Sequence, residues 1–341
     1  MLKDLKYLCA YIVPATAFGA VAYGGVASWA TVWVVFGILP LIELVLPFST
    51  SNVPEKEEDS RSGHPFFNWL LYFNIPLVYG VVLWGAYTVQ SRAMTGWEWV
   101  GLVMSVGIVA GANGINVAHE LGHRSNKTDQ LLAKILLLPA LYQHFFIEHN
   151  RGHHKHVATP HDPATARKGQ PVYFFWGQSV VLGWWNAWKL ERIRLAQQGA
   201  PFWSLRNEML VFQIIQVVWL AAFYFLLGIH ALWFVSGVAV VGFLLLETVN
   251  YIEHYGLQRR LQVSGHYEPV LPQHSWNSNH ELGRIFLYEL TRHSDHHYKS
   301  TRKYQVLRHL DESPQLPLGY PASMLLALIP PVWFWVMDGR R

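Results

Sequence analysis

The stretch VGLVMSVGIVAGANGINVAHELGHR, residues 100–124, joins two patterns that decide the fold. Residues 100–118 carry no charged side chain and are long enough, as a helix, to cross the hydrocarbon core of a bilayer. HELGH follows at once, and residues four apart share a helical face, so His119 and His123 form a chelating pair. An apolar span that runs straight into a histidine pair places any chemistry at a membrane boundary.

Five further apolar stretches have the same length and character, at about 7–27, 29–48, 66–89, 209–228 and 231–253. The expected fold is therefore an all-α integral membrane protein, one domain over 1–341, with six transmembrane helices and a histidine-rich cap. The segments 119–208 and 254–321 would build that cap. An N-terminus on the inside leaves only Arg92, of 26 Lys and Arg residues, in an outside loop. The positive-inside rule selects that orientation, with both termini and the cap cytoplasmic. Segments 131–143, 171–190 and 322–337 are apolar but short or broken by polar residues and prolines, and read as interfacial or re-entrant pieces. Residues 49–64 read as a polar linker with an acidic patch, Glu55 to Asp59.

Composition agrees. The chain of 341 residues is 52% hydrophobic and only 14% charged, below the ~25% of soluble domains. Sixteen Trp and 16 Tyr suit two membrane interfaces. The net charge of +4 follows from the orientation rule, so nucleic-acid binding is not implied. One cysteine, Cys9, excludes a disulfide framework, a zinc ribbon and a thiolate-held iron–sulfur centre within this chain.

Working outward from HELGH, histidines recur in HNRGHH (His149, His153, His154), in NYIEHYG (His254) and in HSDHH (His293, His296, His297). All nine fall at the inner ends of spans or in inner segments, whereas His230 lies outside. Imidazole is the commonest neutral ligand for transition metals, and nine donors exceed what one ion takes, so a pair of ions is implied. His149/His153 and His293/His297 repeat the four-residue spacing, with His296 on the same face. Adjacent His153 and His154 diverge by about 100° and suit different ions. HELGH alone also matches the HExxH of zinc proteases, with Glu120 as base, but that reading leaves six clustered histidines without a task. A histidine relay in a transporter would spread its residues through the membrane depth. With imidazole ligands and no thiolate, iron suits oxygen chemistry, and manganese and copper stay open.

Glu120, Glu148, Asp162, Glu247, Asn250, Glu253, Asp295 and His274 are candidates to orient the ligand rings by accepting or relaying their second N–H. A carboxylate within a span needs a partner; Glu247 lines up with Asn250 and His254, and Glu43 reads as structural.

Five stretches, HELGHR at 119–124, IEHNRGHH at 147–154, NYIEHYGL at 250–257, HSWNSNH at 274–280 and RHSDHH at 292–297, resemble the membrane-bound alkane 1-monooxygenases. These belong to the histidine-rich membrane di-iron superfamily shared with fatty acid desaturases and xylene monooxygenase. NYIEHYG is the most discriminating phrase. The resemblance implies hydroxylation of the terminal carbon of an n-alkane by O2, at two non-haem iron ions held by the nine histidines, in a bacterial inner membrane. It also implies electrons from NAD(P)H by way of a reductase and rubredoxin. A related hydroxylase or desaturase acting on aromatic methyl groups or fatty acyl chains is the alternative.

No Cys-x-x-Cys pair and no strand-linked GxGxxG exist here, so electrons must arrive from another protein. Arg259, Arg260, Lys299, Arg302 and Lys303 flank the histidines and form a candidate docking patch for an acidic carrier. An alkane would enter sideways from lipid. Gly107, Gly111 and Gly114 leave room in the fourth span either for close helix packing or for that chain.

Overall fold

The computed structural model describes residues 2–340. Among them there are only helices, turns and three isolated β-bridges. Six helices are long and apolar enough to cross a membrane: Lys3–Tyr23, Gly25–Glu43, Pro65–Ser91, Gly96–Gly122, Glu208–Leu227 and Ile229–His254. The protein is thus a multi-pass membrane protein. The fourth span is its axis: 78% of its apolar window is buried inside the protein, against 11% for the fifth, which faces outward. The sixth span packs on the third, fourth and fifth, and the first and second close the other side of the fourth.

Small residues set the helix spacing. A Cβ on Gly107 would lie 2.5 Å from Val241 Cβ of the sixth span, so this glycine serves close packing. Gly111, one turn on, has a different neighbourhood, described below.

Three stretches depart from α-helical register into π turns: Val34–Ile38 in the second span, Ala110–Ile115 in the fourth, and His149–His153. Such turns widen a helix by one residue and re-aim the side chains beyond. Each contributes residues to the cavity or the histidine cluster.

Outside the spans the chain folds differently in detail from the sequence expectations. The segment 131–143 splits into the end of helix Lys127–Leu136 and a set of turns. Residues 172–190 belong to one unbroken helix, Val172–Gln197, which Pro171 precedes. Its buried face is a single stripe, Val172, Phe175, Ser179, Gly183, Ala187, Glu191 and Leu195, while Phe174, Leu182 and Trp185 stay exposed. Two-sided apolarity hid its amphipathic character. Residues 322–337 form two short helices, Tyr320–Ala327 and Pro330–Met337, separated where Pro330 and Pro331 begin a new first turn. The polar linker 49–64 is not all loop: Glu55–Gly63 is a helix whose Glu58 pairs with Arg308 at 2.7 Å and whose Arg61 pairs with Asp4.

Candidate metal centre

The nine histidines meet at the end of the fourth and sixth spans. They form two groups: His119, His123, His149, His154 and His296, and beside them His153, His254, His293 and His297. Within each group the ligand atoms all lie within 4.8 Å of one another.

Local structure explains the division. His119 and His123 leave the fourth span on one face. The π turn at His149–His153 brings His149 and His154, five apart, to the same point, while His153 turns to the second group. The two adjacent histidines therefore diverge as their spacing implied. His293 and His297 share a face of helix His293–Tyr298 and join His254, whereas His296 swings to the first group. The expectation that His296 would accompany His293 is thus replaced by a helix that straddles the two groups.

The spacing of the donor atoms fits coordination. In the first group Nε2 atoms face each other at 2.9 Å (His119–His296), 3.0 Å (His123–His149) and 3.1 Å (His154–His149 and His154–His296). In the second the separations are 3.2 Å (His254–His293), 2.9 Å (His293–His297) and 3.2 Å (His153–His297). Two nitrogens about 2.1 Å from one ion and at right angles would stand about 3.0 Å apart. His153 donates its Nδ1 proton to Asp162 Oδ2 at 2.9 Å, which leaves its Nε2 a bare lone pair aimed into the group.

Electrostatics keep the rings neutral, as ligands must be. Burial, then the adjacent imidazoles, hold His149, His154, His293, His296 and His297 well below the ordinary histidine value, and hold His123 down at about 3. His153 is the exception: burial opposes its protonation most, but Asp162, with Glu148 and Glu247 behind it, outweighs that and raises it.

The carboxylates and amides expected to orient the rings have diverse partners. Asp162 and Glu253 reach a histidine directly; Glu253 Oε2 lies 3.2 Å from His293 Nε2, with its other oxygen accepting from Tyr320 at 2.8 Å. Asp295 accepts from Arg302 Nη1 at both oxygens, at 2.6 and 2.8 Å, and from the Arg308 backbone N–H, and so fixes the helix that carries three histidines. Glu247 accepts from Tyr142 and Asn250, Glu148 from Asn186, and Glu120 from Arg124. Burial, with Asp162 nearby, pushes Glu148 up to about 7. Glu120, held by Arg124, is not free to act as a protease base. The His274 side chain pairs with Glu268 at 3.1 Å rather than with a ligand ring, while its backbone lies against His254. The partners Tyr142, Asn186 and Tyr320 carry no motif signal in one sequence, and Arg302, expected in a docking patch, holds Asp295 instead.

Of the five candidate docking residues, Arg260 and Lys299 are exposed. Arg259 is occupied by the carbonyls of Glu268 and Lys155, and Arg302 by Asp295. Lys303 lines a polar cleft of about 710 Å³ that reaches His123 and Arg124.

A second, apolar cavity of about 90 Å³ opens onto His119, His149 and His293. Val35 and Phe36 of one π turn, Gly111 and Ala112 of another, and Leu245, Leu246 and Met324 form much of its wall. A Cβ on Gly111 would stand 3.1 Å from the Gly242 carbonyl oxygen and 3.2 Å from Leu245 Cδ1, so this glycine keeps the sixth span close, as Gly107 does, and also lines the cavity.

Comparison with known proteins places these features in a family. The fatty acid desaturase family model matches residues 96–325. Alkane 1-monooxygenase 2 of Pseudomonas aeruginosa is 41% identical over 93% of this chain and 85% of its own length. Alkane 1-monooxygenase of Pseudomonas putida is 40% identical over 91% of this chain and 76% of its own. The xylene/toluene monooxygenase hydroxylase component of Pseudomonas putida is 29% identical over 98% of this chain and 87% of its own.

Proposed function

This chain belongs to the fatty acid desaturase family and, within it, to the alkane 1-monooxygenases, and from that membership we propose that it hydroxylates the terminal carbon of n-alkanes. The observation that carries the reading is the contact between an apolar cavity and both histidine groups. The nine histidines would hold two iron ions, His119, His123, His149, His154 and His296 one, and His153, His254, His293 and His297 the other. When bound, the irons supply oxygen activation. The overall balance takes O2, a terminal C–H, two electrons and two protons to a primary alcohol and water.

The residues of the chain do the rest. The cavity excludes water and receives an alkane from lipid, where each buried methylene contributes roughly 0.8 kcal/mol. Its walls present the chain end to the metals, which is how geometry overrides the greater strength of a terminal C–H bond. Asp162 fixes the tautomer of His153, and Asp295 fixes the histidine-bearing helix. Phe145 stacks on His149 with ring centroids 4.6 Å apart and narrows the metal end.

Rubredoxin, fed by a NAD(P)H-dependent reductase, is the proposed electron donor, approaching by the exposed residues Arg260 and Lys299 and the cleft beside Lys303. The positive-inside pattern supports a bacterial inner-membrane location with the cap, 119–208 and 254–321, and both termini cytoplasmic. The test is conversion of octane by iron-loaded protein with rubredoxin and reductase. The expected product is 1-octanol; an alkene, an internal alcohol, or hydroxylation confined to aromatic methyl groups would overturn the reading.

A further inference from the structure

Most of the apolar cavity's wall is hydrocarbon. Its polar side chains are Asn116, Asn250, Glu253 and the histidines and, at the last residue of the second span, Glu43. Glu43 is 4% exposed. Its Oε1 accepts the Gly283 N–H at 2.8 Å, and its Oε2 is buried with no hydrogen-bond partner. No cation pairs with it among the described residues. Gly319, from a segment 276 residues away along the chain, gives that oxygen its room: a Cβ there would collide with Oε2. A buried carboxyl oxygen without a donor is costly, and a packed apolar wall could have been built without it.

We propose that Glu43 is the acceptor for the hydroxyl of the product, a long-chain primary alcohol, and draws it from the metals toward the membrane surface. The inference rests on the alkane-hydroxylase reading. The substrate has no hydrogen-bond donor, and the reaction creates one. An acceptor in the cavity wall therefore binds product and not substrate. Its position suits release. Leu44 and Val45, the next two residues, are 65% and 81% exposed, and the polar segment from Ser49 follows, so Glu43 stands where the chain leaves the apolar layer. An alcohol leaving there arrives with its hydroxyl at the interface and its tail in lipid.

The test uses metal-free protein in lipid nanodiscs, so that it reads binding alone. Calorimetric titration with dodecane, 1-dodecanol and 1-methoxydodecane separates donor recognition from apolar fit. The unmodified protein is expected to bind 1-dodecanol about tenfold tighter than the ether, which has the oxygen but no proton to donate. Glu43→Leu should lose about tenfold in alcohol affinity while keeping its affinity for dodecane; Glu43→Gln, whose one acceptor oxygen is held by the Gly283 N–H and whose NH2 then faces the ligand oxygen, should keep dodecane affinity and bind alcohol and ether equally. Equal binding of alcohol and ether by the unmodified protein would overturn the proposal, even if the leucine variant did not fold. So would a parallel loss of dodecane and dodecanol in folded Glu43→Leu, which would mark a purely structural residue. Failure of the iron-loaded enzyme to oxidise any alkane would sink the functional reading instead, and leaves this alcohol measurement distinct.

Discussion

Asp162→Asn separates the two metal groups by a change of one atom. The Asp162 carboxylate is 3% exposed and accepts three bonds: from His153 Nδ1 at 2.9 Å, from the Thr165 hydroxyl at 2.5 Å and from the Ala164 N–H at 3.1 Å. Asparagine has one acceptor oxygen and cannot serve both edges. Either Ala164 or His153 loses its partner, and the charge that raises His153 is gone in both cases. Loss of a partner that orients a metal-binding imidazole weakens metal affinity by roughly 10- to 100-fold, or about 1.4–2.8 kcal/mol. His153 belongs to the four-histidine group, so the loss should fall on one ion. The assay is competition of iron(II)-loaded protein against a chelator of known strength. Unmodified protein should release two equivalents; the variant should release one of them at 10- to 100-fold weaker competition and hold the other as before. A variant that releases both together, or neither more easily, would refute the assignment of His153 and the role of Asp162.

Gly111→Leu and Gly107→Leu should both lower stability, by about 1–3 kcal/mol of overpacking, but only Gly111→Leu, on the cavity wall, should shorten the range of alkanes oxidised, read from product profiles. Glu289 ties the ligand-bearing segment together through Arg284 at 2.6 Å and Tyr7 at 2.6 Å. Burial alone would raise its pKa, but Arg284 and Arg292 outweigh it and the net shift is downward. A depressed carboxylate stabilises the fold above its unfolded value of about 4.3, and that stability is lost as pH falls below it. Glu289→Gln should therefore flatten the acid limb of thermal stability and cost about 3–5 kcal/mol at neutral pH, because two arginines lose their counter-charge; an unchanged acid limb would argue against the network. Joint reversal of Arg260 and Lys299 to Glu should raise the KM for an acidic electron carrier, leave kcat unchanged and flatten the salt dependence. Arg259→Glu should instead destabilise the loop it holds, and identical kinetics for the double variant would remove the patch from the docking surface.

The spans were legible because hydropathy is local. Each of the six expected ranges overlaps an observed helix, and the shifts have local causes: the fourth span continues through HELG to Gly122, and the second ends at Glu43 because Leu44–Phe48 unwinds. Histidine spacing likewise disclosed the ligand candidates. It could not divide them, because the division depends on a π turn at His149–His153 that periodicity assumes away. Long-range pairs were equally hidden. Nothing near Glu43 announces Gly283, 240 residues on, and nothing near Tyr142 announces Glu247. The stripe Val172 to Leu195 escaped because apolar side chains lie on both faces of its helix, Phe175 against protein and Phe174, Leu182 and Trp185 outward.

The iron content of purified, active protein bears most directly on the central claim that nine imidazoles from distant parts of the chain hold two ions. Two irons per chain are expected, falling to about one in His254→Ala, where the four-histidine group loses a donor and the five-histidine group is complete. One ion per chain in the unmodified active enzyme, or two that survive that substitution unchanged, would contradict it.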